Sequence, residues 1–174
     1  MEQTLQRPAR VTLVLPRPFS WLRSRRLAIG GFPKEEQHWA SLEAAGFRKV
    51  FSCCDPSEAP WNPPHHWRSE RLALPDHRHS VAPSAEILHE GLDRLQKLLQ
   101  GDDALYLHCW AGMERSPLMA IGLLCREESI SIFEALRQVR SLHPDAKPIT
   151  KHLVVLENLL IKEKQEKINR QCNE

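Results

Sequence analysis

No apolar run in this 174-residue sequence approaches the roughly 20 residues that a membrane-crossing helix needs. Residues 1–10 carry no apolar core of a secretory leader. Cysteine is scarce and irregular: there are five, an odd number. The adjacent pair Cys53-Cys54 is not a C-x-x-C, and no second pair supplies zinc-ligand spacing. A disulfide scaffold and a zinc module are therefore excluded, a reducing cytoplasm is the expected compartment, and neither metal nor cofactor is expected. Charge of one sign is also missing. Lys and Arg total 24 against 22 Asp and Glu, a formal net charge of +2, so a general binder of nucleic acid or of membrane surfaces is not expected. No internal repeat is present.

The chain does have the composition of an ordinary globular protein, 41% hydrophobic and 26% charged. Its length suits a single domain over residues 1–174, able to bury roughly two thirds of the surface the unfolded chain exposes. Strand-like runs fall at residues 11–15, 27–29, 49–53, 71–74 and 104–107. Helix-like segments alternate with them. Residues 35–45 carry Trp39, Leu42 and Ala45 at helical spacing before Gly46. Residues 83–100 place Ile87, Leu88, Leu92, Leu95, Leu98 and Leu99 on one face, with Pro83 suited to the first turn. Further helices are expected from Leu118 to Leu124, from a capping box at Ser131 and Glu134, and from a cap at Thr150. The charged end, residues 162–174, is expected to fray. This alternation predicts an α/β fold with a central, mostly parallel mixed sheet of about five strands flanked by helices. Residues 55–70, rich in proline with Trp61 and Trp67, read as a packed surface loop or as a substrate-side recognition element.

The most informative stretch is Leu107-His108-Cys109-Trp110-Ala111-Gly112-Met113-Glu114-Arg115-Ser116-Pro117. It sets Cys109 and Arg115 six positions apart, between an apolar strand-like run and a helix-like segment. A strand that ends in a tight loop and opens a helix aims successive backbone N–H groups, and the positive end of the helix dipole, at one point. A phosphate fits there. Arg115 can grip two of its oxygens, which a lysine's point charge cannot do. The same field favours a thiolate at Cys109, beneath the bound phosphorus. The plain alternative is a buried cysteine at a strand end with a solvated arginine nearby.

The extended pattern His-Cys-x-x-Gly-x-x-Arg-Ser resembles the loop of the cysteine-dependent protein phosphatases. Phe19-Ser20-Trp21-Leu22 and Leu27-Ala28-Ile29-Gly30-Gly31-Phe32-Pro33 look like the opening segment of small atypical dual-specificity phosphatases. Arg137-Gln138-Val139-Arg140 and Pro148 before the last helix also fit. The resemblance spans residues 17–162 and leaves a charged tail over 163–174. It implies a cysteinyl-phosphate mechanism with Cys109 as nucleophile and Arg115 as ligand of the phosphate and of the transition state. The amides of Trp110, Ala111, Gly112, Met113, Glu114 and Arg115 would cradle the phosphate. Ser116 would hydrogen-bond the sulfur, and His108 would support the loop from behind.

The family takes its general acid from a loop roughly thirty residues before the cysteine. Here Leu74-Pro75-Asp76-His77 puts Asp76 33 positions before Cys109. His77 and His79 read as solvated loop residues, and Asp102 and Asp103 as turn residues. Some relatives pair the nucleophile with a second cysteine under oxidation, and the register favours Cys54 over Cys53. The implied partner is a phosphorylated protein or a small phosphomonoester, met by a monomer. A pocket for phosphotyrosine alone is usually walled by a tyrosine, and this chain has one tyrosine, Tyr106, in the strand before Cys109. A shallower pocket open to phosphotyrosine and phosphoserine or phosphothreonine is therefore expected. Phosphoinositide phosphatases tend to carry lysines in the loop, where this chain has Trp110, Met113 and Glu114. Glu114 departs from the family's usual small residue. It is expected either to repel substrate or to face solvent or a nearby Arg or Lys. The alternatives to an active phosphatase are a phosphate-binding adaptor of the same fold, and a sulfur-transfer or arsenate-reducing enzyme.

Overall fold

The computed structural model describes residues 12–172. In chain order the elements are β1 (Phe19–Arg23), β2 (Leu27–Gly30), α1 (Glu36–Ala44), β3 (Phe47–Ser52), β4 (Arg68–Arg71), α2 (Ala85–Leu99), β5 (Ala104–His108), α3 (Arg115–Glu128), α4 (Ile132–Leu142) and α5 (Thr150–Gln171). The five strands form one sheet in the order β1-β2-β5-β3-β4. β1 is antiparallel to β2, and the other pairs are parallel. The expected mixed, mostly parallel sheet is the one observed.

Strand alternation divides the core. Leu27, Ile29, Phe51, Leu105 and Leu107 face the apolar surfaces of α2, α3 and α5. Ala28, Val50 and Tyr106 face the opposite way, into an aromatic layer with Phe19, Trp21, Trp39, Phe47 and Trp67 beside α1. β5 is the central strand, buried at every residue, so its C-terminal end opens onto the middle of the fold. In open parallel sheets the carboxyl end of a central strand is where ligands bind.

Several expected boundaries move. Val11 lies outside the described residues, and residues 12–15 form no strand; there the Val14 amide donates to Ser41 Oγ at 2.9 Å. The first strand is β1 instead. It is a half-buried edge, with Phe19 stacked on Tyr106 and Trp21 stacked on Phe47. The strand expected at 71–74 lies three residues earlier, because the charged Arg68–Arg71 can occupy an exposed edge. Leu72 and Leu74 are buried beyond its end, and their amides still donate to Ser52 and Cys53. Pro83 precedes α2 rather than starting it, since the Ser84 hydroxyl accepts from the Ile87 amide as the cap. Ile149, not Thr150, holds the cap position of α5, and the charged tail continues as helix through Gln171.

Candidate active site

The loop from Cys109 to Arg115 joins the buried end of β5 to the first residue of α3. Its carbonyls are turned outward to donors that hold them. Trp110 O accepts from the Phe32 amide at 3.0 Å, Met113 O from the Lys147 amide at 2.7 Å, and Glu114 O from the Leu118 amide at 3.1 Å. Gly112 O accepts from His143 Nε2 at 2.8 Å, and the other nitrogen of that buried ring meets Ser20 Oγ at 2.8 Å. A trans peptide points its C=O and the next N–H in opposite directions. The amides of Ala111, Met113, Glu114 and Arg115 therefore face inward, four of the six expected from the sequence to surround an anion. Gly112 has φ +69°, and a Cβ there would lie 2.5 Å from the carbonyl carbon of Gly30. Only glycine lets the loop lie this close to the end of β2.

Cys109 is buried, with Sγ 3.4 Å from Ser116 Oγ. Arg115 is 3% exposed. Its guanidinium forms a two-pronged pair with Glu58, at 2.7 Å to Oε2 and 2.6 Å to Oε1. It also donates to the carbonyls of Cys53 and Leu74, both at 3.3 Å. Burial opposes the charge on Arg115, yet Glu58 and Cys109 outweigh it and raise the guanidinium further.

Asp76 lies 3.5 Å from Arg115 through Oδ2. It also accepts from the Arg78 amide at 3.0 Å, from Arg78 Nε at 2.9 Å, and meets the His79 ring at 3.1 Å. Burial pushes the Asp76 carboxyl up, but Arg78, Arg115 and His79 together hold it well below the usual carboxylate range. Burial likewise opposes Glu58, and Arg115 brings it down.

A cavity of about 400 Å³ gathers the expected residues: Asp76 on one wall, and Cys109, Trp110, Ala111, Met113, Glu114 and Arg115 on the other. Trp110 stands at its edge, 40% exposed and stacked on Phe32 at 5.6 Å. His108 lies behind the loop, wholly buried and stacked on Tyr106. Burial lowers it to about 3, so its ring is neutral. A neutral ring there packs and orients rather than carrying charge. Among the described residues, no group of three or more His, Cys, Asp or Glu is arranged to hold a metal ion.

Three of the expected groups have neighbours that the sequence does not name. Glu114 is partly exposed and pairs with His77 rather than with an Arg or Lys. It accepts from the His77 backbone amide at 3.1 Å and meets the His77 ring at 2.8 Å. His77 and His79 are solvent-exposed, but each binds a carboxylate of the site. Of the two cysteines after β3, it is Cys53 that shares the apolar cluster of Cys109, whereas Cys54 packs with Phe32 and Ala59. Residues 55–70 contribute Glu58, which spacing along the chain could not reveal because its partner is 57 positions away. His143 and Lys147, which hold the back of the loop, carried no sequence signal for the same reason.

No family model matches the sequence. Among solved structures, PTPMT1 in complex with PI(5)P superposes with a TM-score of 0.73 at 17% identity, over 86% of this chain and 98% of that one. A mutant form of Tk-PTP gives 0.71 at 25% identity, over 84% and 97%. Human DUSP28 gives 0.69 at 17% identity, over 86% and 97%. The superpositions cover nearly the whole length of each of those chains. The chain has the fold of the cysteine-dependent phosphatase superfamily, in its small atypical dual-specificity form.

Proposed function

We propose that this protein hydrolyses phosphate monoesters through a cysteinyl-phosphate intermediate, acting on phosphotyrosine and on phosphoserine or phosphothreonine in proteins. The observation that carries the reading is the convergence of Cys109, Arg115 and Asp76 on one cavity floored by inward-facing amides. In the first step the Cys109 sulfur attacks phosphorus, and protonated Asp76 gives its proton to the departing oxygen. In the second step water attacks the phosphocysteine, the Asp76 carboxylate takes the water's proton, and the sulfur leaves with a hydrogen bond from Ser116. The amides from Ala111 to Arg115 and the Arg115 guanidinium hold the equatorial oxygens in both steps.

Asp76 is ionised in the free site, because Arg78, Arg115 and His79 hold its proton off. A phosphate dianion on Arg115 offsets that field and raises the carboxyl, so substrate itself prepares the acid.

The substrate class follows from what lines the cavity. Tyr106 is buried, with its hydroxyl donating to Gly31 O at 2.6 Å, so no tyrosine walls the pocket. PTPMT1 is described in complex with PI(5)P, but a polyanionic head group is disfavoured here because the loop has Trp110, Met113 and Glu114 and no lysine to bind further phosphates. The adaptor reading has no comparable support, since nucleophile, phosphate ligand and acid all meet in one place. The test is hydrolysis of an aryl phosphate, blocked by vanadate and lost in Cys109→Ser.

Glu58 aligns Arg115 in this scheme. Glu58→Gln keeps the shape but removes the counter-charge of a buried guanidinium, a loss on the order of 3 kcal/mol. The melting temperature should fall by roughly 6–12 °C. Tungstate should restore more of it in the variant than in wild type, because the oxyanion supplies the missing charge. Equal tungstate shifts in the two proteins would reject the alignment role.

Oxidation is the expected side reaction of such a sulfur. Cys54 is the proposed partner: its thiol condenses with the Cys109 sulfenic acid that peroxide produces, forming the disulfide and releasing water. Burial pushes the Cys54 thiol up to about 12 and Cys53 well up also, so the condensation is expected to be slow. Peptide mapping after mild peroxide should return Cys109 joined to Cys54. Recovery of Cys109 joined to Cys53, or of sulfinic Cys109 without any partner, rejects this pairing.

A further inference from the structure

Glu114 belongs to both halves of the site. Its backbone is part of the phosphate loop, where the peptide between Met113 and Glu114 turns its N–H inward because Met113 O is taken by the Lys147 amide. As the residue preceding α3, it holds the position from which an acidic side chain ordinarily caps its own helix, but it makes no such bond. The carboxylate instead reaches across to the residue after Asp76. It accepts from the His77 amide at 3.1 Å and meets Nδ1 of the same ring at 2.8 Å. The far side of that acid-bearing segment is tied down by Lys151, whose ammonium donates to His79 O at 3.1 Å and Ser80 O at 2.9 Å. Of these two ties, the one through Glu114 joins the acid segment to the phosphate loop itself.

We infer that Glu114 is a positioning residue for the general acid, a latch through His77 that holds Asp76 over the phosphate loop. The inference rests on the proposed phosphatase reaction. Because one residue presents an amide to the phosphate and a carboxylate to the acid segment, a bound phosphate that orders the loop also orders the acid. A freely swinging acid segment would spend only part of its time within reach of the leaving oxygen, and proton transfer needs hydrogen-bond distance.

The latch and simple charge repulsion make opposite predictions. Glu114→Ala should lower kcat/KM for a phosphoserine peptide about tenfold more than for nitrophenyl phosphate, since only the poor leaving group needs the proton; this is a fraction of the 10²–10⁴ a general acid contributes. Glu114→Gln, whose amide oxygen still accepts from the His77 N–H, should recover part of that difference. In an Asp76→Asn background, Glu114→Ala should cause no further selective loss, because the latch has no acid left to position. Amide exchange over residues 75–80 should be faster in Glu114→Ala than in wild type.

A salt-dependent gain in kcat/KM for both Ala and Gln variants would overturn the latch in favour of repulsion. So would an equal loss on both substrates with unchanged exchange. If wild type hydrolyses neither substrate, the proposed function fails by itself, and the exchange measurement still upholds or rejects the tie between Glu114 and the acid segment.

Discussion

Cys109→Ser should abolish turnover while the protein still binds phosphate or tungstate. The reason is the division of labour in the loop. In the proposed reaction the sulfur alone forms the bond to phosphorus, whereas the anion is held by inward amides and Arg115, none of which the substitution touches. The amides keep their orientation because the outward carbonyls are fixed by Phe32, His143, Lys147 and Leu118, not by Cys109. Activity is measured on an aryl phosphate, and binding by the rise in melting temperature with tungstate. Residual turnover above about a hundredth of wild type points to another nucleophile. Loss of tungstate binding together with turnover would show instead that the sulfur organises the cradle, and would remove the assignment of the anion site to backbone and Arg115.

Asp76→Asn should lower kcat by roughly 10²–10⁴ for substrates that leave as alkoxides. The loss should shrink for nitrophenyl phosphate, whose leaving group is already a stable anion. Equal losses on both would reject leaving-group protonation. The pH profile carries an independent check. A general acid works protonated, so wild-type kcat should fall as pH rises through the Asp76 value in the substrate complex, and this basic limb should vanish in the variant. Stability has the opposite sign. The free-state carboxyl is held below its unfolded value by Arg78, Arg115 and His79, so its contribution is present above about pH 4 and is lost as pH falls through the folded value. Wild type should therefore exceed Asp76→Asn in stability at neutral pH, and the gap should close in acid. A gap that widens in acid would mean the carboxyl is not held ionised.

Arg78, Arg115, Glu58 and Asp76 form one electrostatic unit, in which the exposed Arg78 bonds both carboxylates and the buried Arg115 lies between them. Two arginines and two carboxylates balance in the free site. In the proposed reaction an incoming phosphate dianion upsets that balance, and the carboxylate that relieves it by taking a proton is Asp76. The resting depression of Asp76 is in this sense part of the proposed chemistry, since the acid forms only when a phosphate is present.

The sequence by itself determined the α/β alternation, the loop with its Cys109 and Arg115, the small residue at 112 and the candidate acid at 76. The first three are written in local spacing, and Asp76 is marked by the family resemblance. A strand followed by a tight turn and a helix is a property of consecutive residues, and so is a cysteine six places before an arginine. Edges were less legible. β1 and β4 are short and half-exposed, and their place in the sheet depends on neighbours distant in the chain. What surrounds the loop was decided only by the tertiary structure. Glu58 meets Arg115, His143 meets Gly112 and Glu114 meets His77 across separations of 57, 31 and 37 positions. The first pair forms because the sheet order brings the carboxyl ends of β3 and β5 side by side, the other two join the segments after α4 and β4 to the same loop, and no periodicity along the chain encodes these adjacencies. The chemistry of the site is local, and its control of charge and position is not.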